Sequence, residues 1–224
     1  MRHAGAAACW FVAFTAAGCA SGGGTPSAPV PPAPVGAALP APSPLVSPEA
    51  ELPQPALTYR VARSLDRLPR VKGRLDVPLG RQWKYILIHH SGTDQGSEAT
   101  IDRYHREVRH WKGVGYDFLI GNGQGSPDGL VEVTFRWEQQ ITGAHAGDDE
   151  YNERGIGICL IGDLNKDHPT ARQMEALVGL VNYLQERCQI PTNQVLLHRH
   201  VRSGGTECPG RNFPFYELIS LLEH

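Results

Sequence analysis

Two continuous apolar runs place the strongest constraint on the fold of this 224-residue chain. The first is Tyr85-Ile-Leu-Ile-His89 and the second spans 155–162, Gly-Ile-Gly-Ile-Cys-Leu-Ile-Gly. Apolar runs of this length, without polar alternation, are typical of strands that are buried on both faces. Such strands need helices on both sides of the sheet, so the runs indicate an α/β fold.

Further patterns complete the expected order of elements. Ser97 and Thr170 stand before helical patterns as N-caps, and Pro191 ends the second helix before a short strand. The predicted strands span 85–89, 115–120, 129–133, 155–162 and 194–198, and the predicted helices span 100–110, the stretch after Thr170 and 215–222. This order predicts a mixed central β-sheet flanked by helices.

The first nineteen residues have the form of a targeting segment. Arg2 and His3 precede an apolar run over 6–17, which is too short to span a bilayer as a helix. The run ends in Ala16-Ala-Gly-Cys19, which resembles a bacterial lipobox, whose cysteine is lipidated. We predict a lipoprotein-type signal peptide over 1–19 with lipidation at Cys19; the alternative is an ordinary signal cleaved near Ala20.

Residues 20–57 are mostly Gly, Ser, Ala and Pro, which predicts a disordered linker because such a stretch buries too little apolar area to offset its ordering entropy. The remaining residues, 58–224, are long enough for one compact domain. An anchor followed by a linker predicts a membrane-anchored lipoprotein of the cell envelope, with the membrane left open. The net charge of −2 gives no reason to expect nucleic-acid binding.

Three residues form a candidate metal site. His89 and His198 end two predicted strands, and Cys208 follows in a loop. If both strands are central, their carboxyl ends open on the same edge of the sheet. Two imidazoles and one thiolate are suitable zinc ligands that leave a fourth position open, as in catalytic sites. Spacing alone leaves a second interpretation open, in which these are unrelated buried polar groups. His90 points away from His89 by strand alternation and is expected to pack or to support the site.

Several separated motifs then occur in order along the chain. They are Ile88-His-His-Ser-Gly-Thr93, Val114-Gly-Tyr-Asp-Phe-Leu-Ile120, Gly143-Ala-His-Ala-Gly147, Tyr151-Asn-Glu-Arg-Gly-Ile-Gly-Ile158, His198-Arg-His-Val201 and Thr206-Glu-Cys-Pro-Gly210. Over residues 83–220 the chain resembles the zinc N-acetylmuramoyl-L-alanine amidases, a family that includes phage lysozyme-type amidases and peptidoglycan recognition proteins.

The resemblance implies a Zn²⁺ cofactor, held by His89, by His198 or His200, and by Cys208. We favour His198 over His200 because it directly ends the apolar run. The implied reaction is hydrolysis of the amide between N-acetylmuramic acid and the L-alanine of the peptidoglycan stem peptide, catalysed by a monomer. The alternative is a non-catalytic peptidoglycan-binding domain, whose usual mark is loss of the cysteine ligand. Cys208 is present and favours the enzyme.

The resemblance also suggests roles for further residues. Tyr116 occupies the position of a tyrosine that assists catalysis, although an aromatic residue at a strand start can also simply pack in the core. Thr206 stands where some relatives carry a lysine, and it can supply only a hydrogen bond. His145 is a candidate for substrate contact or proton transfer, and Arg136 for contact with a stem-peptide carboxylate.

The cysteines Cys159 and Cys188 are left over when the other three are assigned to the signal, the anchor and the metal site. An exported protein can form a disulfide between them. Two buried thiols are an equally valid interpretation of the sequence.

Overall fold

The computed structural model describes residues 70–222. The predicted signal peptide, Cys19 and the linker over 20–57 lie outside the described residues. Within the described range, no helix combines the length and apolar character that crossing a bilayer requires.

A six-stranded mixed sheet forms the centre of the domain, in the order β1-β4-β3-β5-β2-β6. The strands are β1 Val71–Lys72, β2 Tyr85–His90, β3 Phe118–Ile120, β4 Val131–Val133, β5 Gly155–Leu160 and β6 Val195–Leu197. The β3–β4 pair is antiparallel and the other neighbours are parallel. The predicted mixed sheet is therefore confirmed, and the two apolar runs are its adjacent strands β2 and β5.

Among residues 70–222, six α-helices flank the sheet. They are α1 Glu98–Glu107, α2 Phe135–Gln139, α3 Asp149–Arg154, α4 Ala171–Cys188, α5 His198–Val201 and α6 Phe215–Leu221. The predicted caps are confirmed, because the side chains of Ser97 and Thr170 accept main-chain N–H groups in the first turns of α1 and α4. Helix α1 ends at Glu107, earlier than the predicted 110, and His110 has a positive φ of 56°.

Side-chain alternation divides the sheet into two faces with different contents. One face, with Ile86 and Ile88, packs on the buried side of α4 in the main hydrophobic core. The other face carries His89 and its partner in the register, Cys159, which belongs to a smaller apolar cluster. The candidate site therefore lies on the more thinly covered face, at the carboxyl end of β2.

The predicted end of the last strand, at residue 198, is wrong. Strand β6 stops at Leu197, and His198 is the first residue of α5. The ring Nδ1 of His200 accepts the main-chain N–H of Leu197 at 3.3 Å and so supports the first turn of the helix. On a helix, positions i and i+2 point about 200° apart, so His198 and His200 do not share a face.

The structure also settles the state of Cys159 and Cys188, which the sequence left open. Both are free thiols, Cys159 buried within strand β5 and Cys188 half-buried at the end of α4.

Candidate metal centre

His89, His198 and Cys208 converge at the carboxyl edge of the sheet, with one ligand atom from each within 4.8 Å of the others. All three are buried. Strands β2 and β6 pair in parallel with Ile88 opposite Leu197, so the next residues in sequence, His89 and His198, become neighbours. His200 is exposed and is engaged with Leu197 instead.

Both imidazoles present the same nitrogen to this cluster. His89 Nδ1 lies 3.7 Å from the Cys208 sulfur, and its Nε2 lies 3.1 Å from Nδ1 of His145. His198 Nε2 lies 3.0 Å from the carbonyl oxygen of Ala146, to which it donates. This contact leaves Nδ1 as the ligand atom of His198.

Cys208 is held by main-chain and side-chain contacts on both sides. Its sulfur accepts the N–H of His90 at 3.4 Å, and its own N–H donates to the hydroxyl of Thr206 at 3.2 Å. Burial raises the pKa of the Cys208 thiol to about 12, which the His90 N–H partly offsets. A buried thiol of this kind becomes a thiolate when a cation binds and displaces its proton.

Burial also determines the charge of the two histidines. It lowers the pKa of His89 well below its usual value, with further lowering by His145 and His198. Burial likewise lowers the pKa of His198, against the hydrogen bond to Ala146. Neutral imidazole is the form that binds metals, so two neutral rings and one displaceable thiol proton fit zinc.

Tyr116 lies beside the cluster, with its ring centroid 5.1 Å from that of His89. The side chain is half-buried, and burial, followed by Cys159 and Cys208, raises the pKa of the phenol well above its usual value. The hydroxyl therefore remains protonated as a hydrogen-bond donor, and its neighbour inside the domain is the thiol of Cys159. Tyr116 also belongs to the wall of a cavity of about 440 Å³, which is further lined by Ser91, Thr93, Gln95, Tyr104 and His105.

The other predicted site residues have separate surroundings. The hydroxyl of Thr206 supports the Cys208 loop, and His145 lies buried behind His89. The buried guanidinium of Arg136 donates to the main-chain carbonyls of Val114 and Thr142. The substrate contacts proposed for His145 and Arg136 remain predictions.

His105 is a residue of the cavity wall that the sequence did not single out. It is buried on the inner side of α1, its Nδ1 accepts the N–H of Gly115 at 3.1 Å, and its ring centroid lies 5.9 Å from that of Tyr116. The available signal was its position four residues after Ile101, which places both on one side of the helix.

Comparison with known proteins gives consistent matches. Residues 79–211 match the family model described as N-acetylmuramoyl-L-alanine amidase. Peptidoglycan-recognition protein SC2 of Drosophila melanogaster is 33% identical over 142 residues, which are 60% of this chain and 72% of that protein. The solved N-acetylmuramoyl-L-alanine amidase LysC from Clostridium intestinale is 30% identical with a TM-score of 0.56, covering 68% of this chain and 96% of that one. A mutant of Drosophila PGRP-LB in complex with tracheal cytotoxin is 27% identical with a TM-score of 0.50, covering 75% and 93%.

Proposed function

Because the chain belongs to the N-acetylmuramoyl-L-alanine amidase family, we propose that it hydrolyses the amide between N-acetylmuramic acid and the L-alanine of the peptidoglycan stem peptide. His89, His198 and Cys208 would hold a zinc ion. The observation that carries the proposal is the convergence of these three ligand atoms within 4.8 Å, beside a tyrosine that lines a cavity. A related PGRP-LB structure contains tracheal cytotoxin, which supports a peptidoglycan fragment as the occupant of that cavity.

The groups that line the cavity are suitable for binding a peptide that is attached to a sugar. Its wall combines hydroxyl and amide groups from Ser91, Thr93 and Gln95 with the aromatic ring of Tyr104, which is 51% exposed. Polar groups of this kind can hydrogen-bond to peptide amides and sugar hydroxyls, and an exposed aromatic face can pack on a sugar ring. A stem peptide lying here would bring its first amide toward Tyr116 and the ligand cluster.

In the proposed reaction, the oxygen of a water molecule bonds to the lactyl carbonyl carbon, the C–N bond breaks, and the alanine nitrogen takes up a proton. Zinc, when bound, lowers the pKa of water to about 7 and polarises a carbonyl oxygen. The protonated Tyr116 hydroxyl donates a hydrogen bond to the oxygen on which negative charge develops. Such a donor is typically worth about 10²–10³ in kcat. Thr206 adds no positive charge, and its hydroxyl keeps the Cys208 loop in place.

Cys208→Ser is the direct test of this function. Serine is a poor zinc ligand at neutral pH, so we expect the variant to lose zinc and to lose at least about 10²-fold in activity. Activity is measured by mass analysis of the fragments released from purified sacculi, where the wild-type chain should release stem peptides with a free N-terminal alanine. Cys188→Ser removes a thiol away from the site and serves as the control, with wild-type activity expected.

A second matched pair uses the two neighbouring histidines. His198→Ala should abolish zinc binding and activity, whereas His200→Ala should retain both because that ring is exposed and bonded to Leu197. Full activity of Cys208→Ser would contradict the zinc mechanism. A wild-type chain that binds sacculi and releases nothing would instead favour the non-catalytic recognition domain.

We also propose that the chain acts in the cell envelope, anchored by a lipid on Cys19 and separated from the membrane by the linker over 20–57. The support is the sequence Ala16-Ala-Gly-Cys19 after a short apolar run. Peptidoglycan, the proposed substrate, is found in the same compartment.

A further inference from the structure

The ring of His145 occupies a narrow buried slot in which two glycines make the room. A Cβ atom on Gly157 would lie 2.6 Å from Cδ2 of the His145 ring, and a Cβ atom on Gly143 would lie 2.5 Å from the same atom. Real Cβ atoms essentially never approach so closely, so a side chain at either position would displace the imidazole. The fold therefore holds this ring in one place, directly behind His89.

Both nitrogens of the His145 ring are engaged in that slot. Nε2 lies 3.2 Å from the carbonyl oxygen of Gly155, and Nδ1 lies 3.1 Å from Nε2 of His89. The main chain is held as well, because the side-chain oxygen of Asn152 accepts the N–H groups of His145 and Ala146 at 2.8 and 2.9 Å.

These contacts determine which nitrogens carry protons. A carbonyl oxygen can only accept, so Nε2 of His145 must be the protonated nitrogen. A neutral imidazole has one N–H, so its Nδ1 must accept the hydrogen bond from His89. The proton of His89 then sits on Nε2, and Nδ1 is left with a free lone pair that faces Cys208.

The residue after His145 does the same for the second histidine. The carbonyl oxygen of Ala146 accepts from Nε2 of His198, which again leaves Nδ1 as the ligand atom. The dipeptide His145-Ala146, whose N–H groups both donate to Asn152, thus contacts Nε2 of both His89 and His198.

We infer that His145 is a positioning residue that holds His89 in the tautomer and orientation needed to bind the metal through Nδ1. The inference rests on the zinc site proposed above. It assigns to His145 a role behind the ligand, acting through His89, in addition to any contact with substrate. Partners that orient a metal-binding histidine in this way typically contribute about 10–100-fold to metal affinity.

The affinity of the full chain for Zn²⁺, measured by competition with a chromophoric chelator, tests this inference. His145→Phe keeps a flat ring in the slot without an acceptor and should weaken zinc binding by about 10–100-fold. His145→Asn can place its side-chain oxygen near the position of Nδ1 and should recover most of the affinity. His168→Phe alters an exposed histidine outside the ligand cluster and outside the cavity, and should leave the affinity unchanged.

A second measurement uses the unaltered protein and does not depend on the folding of a variant. In nitrogen-15 NMR spectra of the metal-free full chain, His89 should be the Nε2-protonated tautomer. An Nδ1-protonated His89, or wild-type zinc affinity in folded His145→Phe, would overturn the inference. Neither readout involves catalysis. A chain with the expected tautomer and zinc affinities that cleaves no muropeptide would refute only the amidase proposal.

Discussion

Asp117 and Tyr116 are neighbours in the chain, yet the two side chains lie in different surroundings and burial affects them differently. Tyr116 faces the cavity, where a raised pKa preserves a hydrogen-bond donor. Asp117 is fully buried on the other side, where Oδ2 accepts the N–H of Gly157 at 2.8 Å. Its Oδ1 has no hydrogen-bond partner among residues 70–222. Burial raises the pKa of Asp117 to about 7, against lowering by the Gly157 N–H and by Arg136.

This carboxyl group should make stability depend on pH in a direction opposite to that of most acidic residues. Because the folded-state pKa of Asp117 lies above the unfolded value of 3.8, the folded chain binds an extra proton between about pH 4 and 7. The stabilisation that protonation gives is complete below pH 4 and is lost as the pH rises through 7. As the pH rises through this window, the free energy of unfolding of Asp117→Asn should therefore increase relative to that of the wild type, by up to about 1.4 kcal/mol per pH unit.

Urea unfolding of both chains at several values between pH 4 and 8 measures that difference. The buried histidines are common to the two chains, so their own titration largely cancels in the comparison. A difference in unfolding free energy that stays constant across the range would contradict the assignment of a raised pKa to Asp117.

Helix α1, which forms one wall of the cavity, is tied to the sheet at its first turn. Glu132 of strand β4 accepts the N–H of Glu98 at 2.9 Å and forms an ion pair with Lys72 of β1 at 3.1 Å. The Glu132 side chain is 4% exposed, whereas that of Lys72 is 65% exposed. The carboxylate is therefore a buried link between three elements, and the lysine is its exposed partner.

Replacing Glu132 and replacing Lys72 should lower the free energy of unfolding by unequal amounts. Glu132→Leu leaves the Glu98 N–H without its acceptor and removes the ion pair, which should lower the free energy of unfolding by about 3 kcal/mol. Lys72→Met should cost under about 1 kcal/mol, because an exposed lysine contributes little and the helix contact remains. Chemical denaturation of the two variants measures both changes in the free energy of unfolding. Equal decreases would show that the ion pair, rather than the contact with helix α1, provides the stability.

The elements whose bounds the sequence predicted best are the long or strongly marked ones, whereas the three-residue strands β3, β4 and β6 were predicted too long. Strands β2 and β5 were recognisable because each is a continuous apolar run, and α4 because a cap precedes a long amphipathic helix. Strand β1 and helix α5 have two and four residues, and α2 and α3 are also short. Elements of this size form through contacts with the rest of the fold, so local pattern carries little information about them.

For the whole molecule, the central prediction concerns attachment to a membrane. Cys19→Ala should move the protein from the membrane fraction to the soluble fraction, because a lipid on Cys19 would be the anchor. Cys9→Ala changes a cysteine inside the apolar run and should leave the protein in the membrane fraction. Fractionation followed by immunoblotting measures both, and persistence of Cys19→Ala in the membrane fraction would refute lipidation.

The sequence by itself determined the mixed sheet, the caps of α1 and α4, and the residue types of the candidate metal site. Local residue patterns and short motifs are sufficient to predict these features. Only the tertiary structure decided that His198, rather than His200, faces His89 and Cys208, because β6 ends one residue early and the two rings then point to opposite sides of helix α5. It alone also placed His145 behind His89, in a slot made by two glycines that are distant from each other in sequence. Which nitrogen of a histidine is free depends on contacts with residues far along the chain, and such contacts exist only in the folded protein.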